Sequence, residues 1–133
     1  MRLLLDTHVL IWAQTSPDVL GPRAVKRLLK PATEVMVSAI SVMELARLNE
    51  MRRVRIKVAL DLWFERALEQ LRAETVPVTE AIALEAARLP DPLPPDVADR
   101  VLLATARVLD CALMTADDGL LELTSAKLFD ARL

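Results

Sequence analysis

The chain alternates between short unbroken apolar runs and longer stretches in which apolar residues return every three or four positions. Leu3-Leu4-Leu5, Val35-Met36-Val37 and Ala112-Leu113-Met114 are runs of the first kind. They lack polar alternation, which predicts strands covered on both faces, as in a parallel sheet. Thr75–Val78 and Lys127–Phe129 are further short strand candidates, and Pro77 confines the former to an edge or a strand end. The helical stretches lie between them. Val9–Gln14 makes one or two turns. Pro22 opens a helix that runs to about Lys30 and stops at Pro31. Others follow over about 41–49, 58–73, 80–88, 96–109 and 117–123. The 58–73 stretch carries Leu60, Leu62, Trp63, Phe64, Ala67, Leu68 and Leu71, which predicts a helix packed on two sides. Leu89–Pro95, LPDPLPP, predicts an ordered proline loop that redirects the chain into Asp96. Strands and helices in alternation predict an α/β fold, a mainly parallel central sheet with helices on both faces and right-handed crossovers. With 133 residues the chain is expected to be one domain, 1–133.

Composition narrows the function. Two glycines leave no material for a glycine-rich phosphate loop, and two Phe, two Trp and no Tyr supply few base-stacking platforms. A formal charge of −2 excludes binding nucleic acid by bulk basicity, although a bound metal would supply positive charge locally. The single cysteine, Cys111, allows no intrachain disulfide and reads as a core thiol. Leu3–Leu5 is too short for a signal peptide core, and no apolar run reaches membrane-spanning length, so a cytoplasmic protein with no membrane association is expected.

The acids are placed more tellingly. Asp6 ends the first strand. Glu44 lies early in the helix after the second strand, Asp99 in the first turn of the helix after the proline loop, and Asp117 just past the strand that ends at Thr115. In a parallel sheet all these places fall on the carboxyl edge of the strands, where α/β folds hold their ligands. Each has a simpler reading. Ser41 and Glu44 fit a capping box, Asp96 fits an N-cap ahead of Asp99, and Thr115–Asp118 has the same spacing. Asp6 is expected to be the one acid without a helix of consequence to cap. Taken together, several carboxylates in one cleft repel each other unless a counter-ion joins them. A hard divalent cation, Mg²⁺ or Mn²⁺, is the economical partner, and one His with one Cys argues against zinc. Acid-held Mg²⁺ or Mn²⁺ is an arrangement that cleaves phosphodiesters.

Leu3–Ala13 (LLLDTHVLIWA), Val37–Ala46 (VSAISVMELA) and Asp99–Asp117 (DRVLLATARVLDCALMTAD) together resemble the motifs of the PIN-domain ribonucleases, most closely the VapC-type toxins of prokaryotic toxin–antitoxin modules. The resemblance implies an α/β/α sandwich and endonucleolytic cleavage of RNA at an Mg²⁺ or Mn²⁺ site. It assigns the acids to Asp6, Glu44, Asp99 and Asp117, with Thr7 and Thr115 as supporting hydroxyls. It also implies a homodimer and a cognate antitoxin. The chain departs from the pattern before the third acid. Leu93–Ala98 keeps Asp96 but lacks the His-Arg pair that close relatives often carry there.

Arg52, Arg53, Arg55, Lys57 and Arg100 are candidate contacts to RNA phosphates, the alternative being a solvated connection and local pairing. His8 is expected to pack rather than to act as a base, because metal-held water needs none. Trp12, Trp63 and Phe64 are expected in the core or an interface. The rival function is a non-catalytic PIN-like module that binds protein or RNA and keeps its acids for capping. An aspartyl-phosphate phosphatase would want an Asp at position 8, where His stands, and a receiver domain would want paired early acids. Both fit poorly.

Overall fold

The computed structural model describes residues 1–133. Five parallel strands, β1 (Arg2–Leu5), β2 (Glu34–Ser38), β3 (Glu74–Val76), β4 (Ala112–Thr115) and β5 (Lys127–Asp130), lie in the order β3-β2-β1-β4-β5. β1 is central, with Leu3 paired to Val35 on one side and Ala112 on the other. Its leucines are fully buried because both neighbours and both faces are covered.

Alternate residues of the strands face two different helix layers. Leu3, Leu5, Val35, Val37 and Met114 join Val9, Leu10, Ala24, Leu45 and Phe64. These come from α1 (Thr7–Thr15), α2 (Pro22–Leu29), α3 (Ile40–Glu50) and α4 (Leu60–Leu71). Leu4, Met36 and Leu113 face Leu102, Leu103, Cys111 and Leu120 on the other side. That layer holds α5 (Glu80–Ala87), α6 (Val97–Val108) and the single-turn α7 (Asp118–Leu121), with α5 docked on α6 through Ile82, Val101 and Ala104. A short 3₁₀ turn, Pro17–Val19, links α1 to α2. The α/β/α sandwich expected from the alternation is therefore present.

The structure departs from the sequence reading at several places. β3 stops at Val76 because Pro77 has no amide to continue the ladder. α3 begins at Ile40 rather than Ser41, with the Ser38 hydroxyl accepting from the Ile40 amide at 3.1 Å. α4 buries only Phe64 and Ala67 fully, and its second apolar side, at Leu62, remains exposed. Leu60, Trp63, Leu68 and Leu71 pack partly buried against the core, and Leu62 is 38% exposed. Trp12 and Trp63 pack against the core as expected, and Cys111 is buried. No helix is long and apolar enough to cross a membrane.

The shortage of glycine shows in the backbone. Both glycines lie at negative φ, while Arg52, Arg72 and Asp110 occupy the left-handed region. Arg72, with φ 52° and ψ 39°, ends α4, a place that usually takes glycine. An L side chain there costs about 1–2 kcal/mol, part of which glycine would return as unfolded-state entropy. Arg72→Gly is expected to stabilise the fold by about 0.5–1 kcal/mol in urea unfolding; a loss of stability would contradict this account of the helix end.

Candidate active site

β1 delivers its chain straight into a carboxylate. Asp6 is only 6% exposed. Its amide still pairs with the Met114 carbonyl at 3.0 Å, so β4 holds the backbone at this point. One carboxylate oxygen accepts from the Thr7 amide at 2.7 Å and the other from the Thr115 hydroxyl at 2.7 Å. Asp6 therefore does cap a helix, the N-terminus of α1, contrary to the expectation that it alone lacked one. The nine-residue α1 is longer than the sequence pattern indicates, and Thr7 is its first residue. Thr115 has a second task. Its hydroxyl accepts from the Asp117 amide at 3.1 Å, which turns the chain into α7, and Asp117 caps that helix through the Leu120 amide at 3.1 Å.

A second hydroxyl chain reaches Glu44. Thr7 Oγ1 donates to Glu44 Oε1 at 2.6 Å and lies 2.9 Å from Ser41 Oγ. Thr7 has one proton and spends it on Glu44, so Ser41 donates to Thr7. The capping box expected for Ser41 and Glu44 is not formed. The residue capping α3 is Ala39, without a side-chain bond, and Ser41 lies inside the first turn with its hydroxyl aimed across at α1. From sequence Ser41 reads only as a cap; a hydroxyl three residues before Glu44 is the available signal for more. Asp99 lies in the first turn of α6, which Asp96 caps through the Ala98 amide at 2.9 Å, as expected. Asp118 is not the cap of α7 but pairs with Arg132 at 2.8 Å.

The four acids share one electrostatic environment. Burial raises the Asp99 carboxyl to about 7, and Asp6, Asp96, Glu44 and Asp117 all push it the same way. Burial also raises Glu44, opposed by the Thr7 hydroxyl and assisted by Asp6 and Asp96. Asp6 is raised by burial too; the Thr115 hydroxyl, the Thr7 amide and His8 oppose this, and Asp117 adds to it. Residues 6, 44, 99 and 117 are thus brought to one place, and Asp96, which reads from sequence as a cap alone, joins them. None of the five ion pairs in the molecule engages the four acids.

The donor set is all oxygen and short of positive charge, which fits a hard divalent cation. As the side chains stand, no three His, Cys, Asp or Glu groups are close enough to ligate one ion.

Residues 3–125 match the family profile described as PIN domain. The chain belongs to the PIN-domain family. Ribonuclease VapC22 of Mycobacterium tuberculosis (strain ATCC 25618 / H37Rv) is 36% identical over 115 residues, covering 86% of each protein. This PIN domain is also similar in fold to the crystal structure of VapBC2 from Rickettsia felis bound to a promoter DNA fragment, at 17% identity and TM-score 0.73, over 97% of this chain and 98% of that one. VapBC-1 from nontypeable Haemophilus influenzae superposes with TM-score 0.68 at 18% identity, over 98% of both chains. FitAB bound to a DNA fragment gives 0.66 at 23% identity, over 98% of this chain and 96% of that one.

The remaining candidates lie around this PIN-domain edge. His8 is exposed and tilts against Trp12, ring centroids 6.2 Å apart. Arg100 donates from Nε to the Pro94 carbonyl at 2.6 Å, which ties α6 to the proline loop. Arg52, Arg53, Arg55 and Lys57 are exposed in the connection from α3 to α4, and none forms an ion pair.

Two outcomes follow from this geometry. Asp99 has a higher pKa folded than unfolded, so the native state holds the extra proton between about pH 4 and about pH 7. Stability is then lost as pH rises through that window and stays low above it. In metal-free buffer Asp99→Asn is expected to be more stable than wild type at pH 8, by about 1–2 kcal/mol after discounting for a half-exposed group. The gap should close towards pH 4–5 in urea titrations; an equal gap at both ends would break the argument. Thr7→Val removes a donor from Glu44 and strands the Ser41 hydroxyl, and is expected to cost about 1–3 kcal/mol. Ser41→Ala in the Thr7→Val background should cost little more, a non-additivity read from a double-mutant cycle.

Proposed function

We propose that this protein is a metal-dependent endoribonuclease, the toxin of a VapC-type toxin–antitoxin module, acting in the cytoplasm. The observation that carries the reading is the coupled acid group of Asp6, Glu44, Asp99 and Asp117 at the carboxyl edge of the sheet, with Asp99 pushed up to about 7. The likeness to ribonuclease VapC22 supports the substrate class. The likeness to complexes of toxin with antitoxin supports a cognate antitoxin partner. The exposed Met43 of α3 and the partly exposed Leu62 of α4 leave apolar surface for an antitoxin or for a second copy in a homodimer.

Asp6, Glu44, Asp99 and Asp117 would hold Mg²⁺ or Mn²⁺. A cation held there would supply a lowered pKa for a water and charge stabilisation for the scissile phosphate and the leaving oxygen. The chain's own part is positioning. Thr115 and the Thr7 amide hold both oxygens of Asp6 in fixed directions, and Thr7 does the same for Glu44. Ser41 in turn orients Thr7. The fully buried Leu3–Leu5 anchor the backbone that carries Asp6. The carboxylates repel phosphate until positive charge is present, so substrate engagement is tied to cation loading. Arg52, Arg53, Arg55, Lys57 and Arg100 are available to the RNA backbone, although Arg100 already spends its Nε on Pro94.

The rival, a non-catalytic binding module that keeps its acids as caps, explains Asp96, Asp117 and part of Asp6. It does not explain Glu44, which caps nothing and is held instead by a dedicated hydroxyl pair. Asp6→Asn and Glu44→Gln are each expected to lower cleavage of labelled RNA in Mg²⁺ or Mn²⁺ buffer by at least about 10²-fold, with far-UV circular dichroism unchanged. EDTA should abolish wild-type cleavage and Mn²⁺ restore it. RNA cut as fast by Asp6→Asn as by wild type would sink the reading.

A further inference from the structure

The acid edge has a basic neighbour. Arg23, Lys26, Arg27 and Lys30 recur on α2 and its C-cap at spacings of three and four, so they line one face of the helix. With Phe129 of the edge strand β5 they enclose a cleft of about 290 Å³. Arg27 lies over the Phe129 ring, 5.8 Å from its centroid. None of the four cations makes an ion pair within the chain. Lys26 and Arg27 have a local explanation, since cations in a last turn suit the helix dipole. Arg23 does not. It stands in the first turn, where a cation is disfavoured, and that turn holds no acid to offset it.

The stripe is also joined to the acid edge. β5 is in register with β4, Thr115 opposite Asp130, and the Ala131 amide continues the pairing to the Thr115 carbonyl at 2.9 Å. The Ala131 carbonyl then accepts from the Gly21 amide at 2.9 Å, and the Leu133 carbonyl from the Ala24 amide at 2.9 Å. α2 thus starts at the same sheet edge as Asp6 and carries its cations away from it over about 10 Å. A Cβ at Gly21 would lie 2.2 Å from the Leu133 backbone, so this junction is closely packed and sets where the stripe begins.

We propose that the α2 stripe, Arg23, Lys26, Arg27 and Lys30 against Phe129, is a docking track for the phosphate backbone of single-stranded RNA that leaves the acid edge. The proposal rests on the ribonuclease reading for its substrate class. Charge complementarity carries it: an acid pocket must repel the polyanion it cuts, and a separate uncompensated cationic surface beside it supplies the affinity. Phosphates are what such a surface touches, so it carries no sequence information. Phe129 is covered by Arg27 and is not free to stack a base.

The test is fluorescence anisotropy with a labelled single-stranded RNA of mixed sequence, across a salt series, with the full chain. Two variants are used: Arg23→Gln/Lys26→Gln, which spares the packing of Arg27 on Phe129, and the quadruple glutamine variant. Removing one cation from a phosphate of a single strand flattens the slope of log affinity against log salt by about 0.7. The double variant should flatten it by about 1.4 and weaken binding about tenfold at low salt. The quadruple variant should do more, and cleavage should show a raised KM with little change in kcat. Unchanged affinity and slope in both variants overturn the proposal, as does a wild type that binds no RNA. If the variants keep RNA binding but fail to co-purify with the co-expressed product of an adjacent small gene, the stripe serves an acidic protein surface, and the proposal is wrong. Wild type that binds RNA without cutting it overturns the nuclease reading, while the binding series still decides the stripe.

Discussion

The structure is organised around the need to keep a carboxylate at the end of a fully buried strand. Asp6 follows three leucines with no exposed surface and is itself almost covered. A charge in that position needs directed hydrogen bonds, and it receives two, one from the amide of the next residue and one from the hydroxyl that ends β4. Much of the local architecture serves this requirement. β4 must end in Thr115 beside it, and α1 must begin immediately at Thr7 so that its first amide is free. α3 must approach closely enough for Ser41 and Glu44 to occupy the Thr7 hydroxyl. Packing supplies rigidity and the hydroxyls supply direction.

The parts legible in the sequence are those set by one element at a time. Three unbroken apolar runs identify the inner strands, and the proline-delimited helices between them make a parallel α/β/α arrangement the natural solution. The edge shared by residues 6, 44, 99 and 117 follows from topology alone. What stays hidden depends on relations between elements. Whether Ser41 caps its own helix or reaches across to Thr7 is decided by where α3 starts relative to α1, and the N-cap falls at Ala39, two residues before Ser41. The sequence gives Asp6 no evident helix to cap because α1 has little polar punctuation, yet its nine residues form a full helix. Asp96 joins the other acids because it caps α6 three residues before Asp99, a consequence of its cap position that a reading as a cap alone leaves undrawn. The charge stripe on α2 is less conspicuous in the sequence than the run at residues 52–57, because its members are spaced along the chain and gather only on the helix.

Net charge conceals how unevenly this domain is charged. A total of −2 describes neither the sheet edge, where five acids crowd together, nor the α2 face, where four cations stand unpaired. Both arrangements oppose stability taken alone, since like charges are held together without partners. The proposed metal at the first and the proposed RNA backbone at the second would each supply the opposite sign. The same logic accounts for the absence of ion pairs at either place, while Arg132, Arg107 and Lys127 are neutralised by neighbouring acids elsewhere on the surface.

The bond between Thr115 and Asp6 joins residues 109 positions apart. β1 is the first strand made and the central strand of the finished sheet, yet one of its two flanks is β4, near the end of the chain. During synthesis residues 1–111, about five-sixths of the polypeptide, therefore carry Asp6 and Glu44 without the strand that fixes Asp6. Non-local parallel pairing of this kind is slow to form and comes late. The acid edge is consequently a product of completion: a partly emerged chain holds the pieces but not the site.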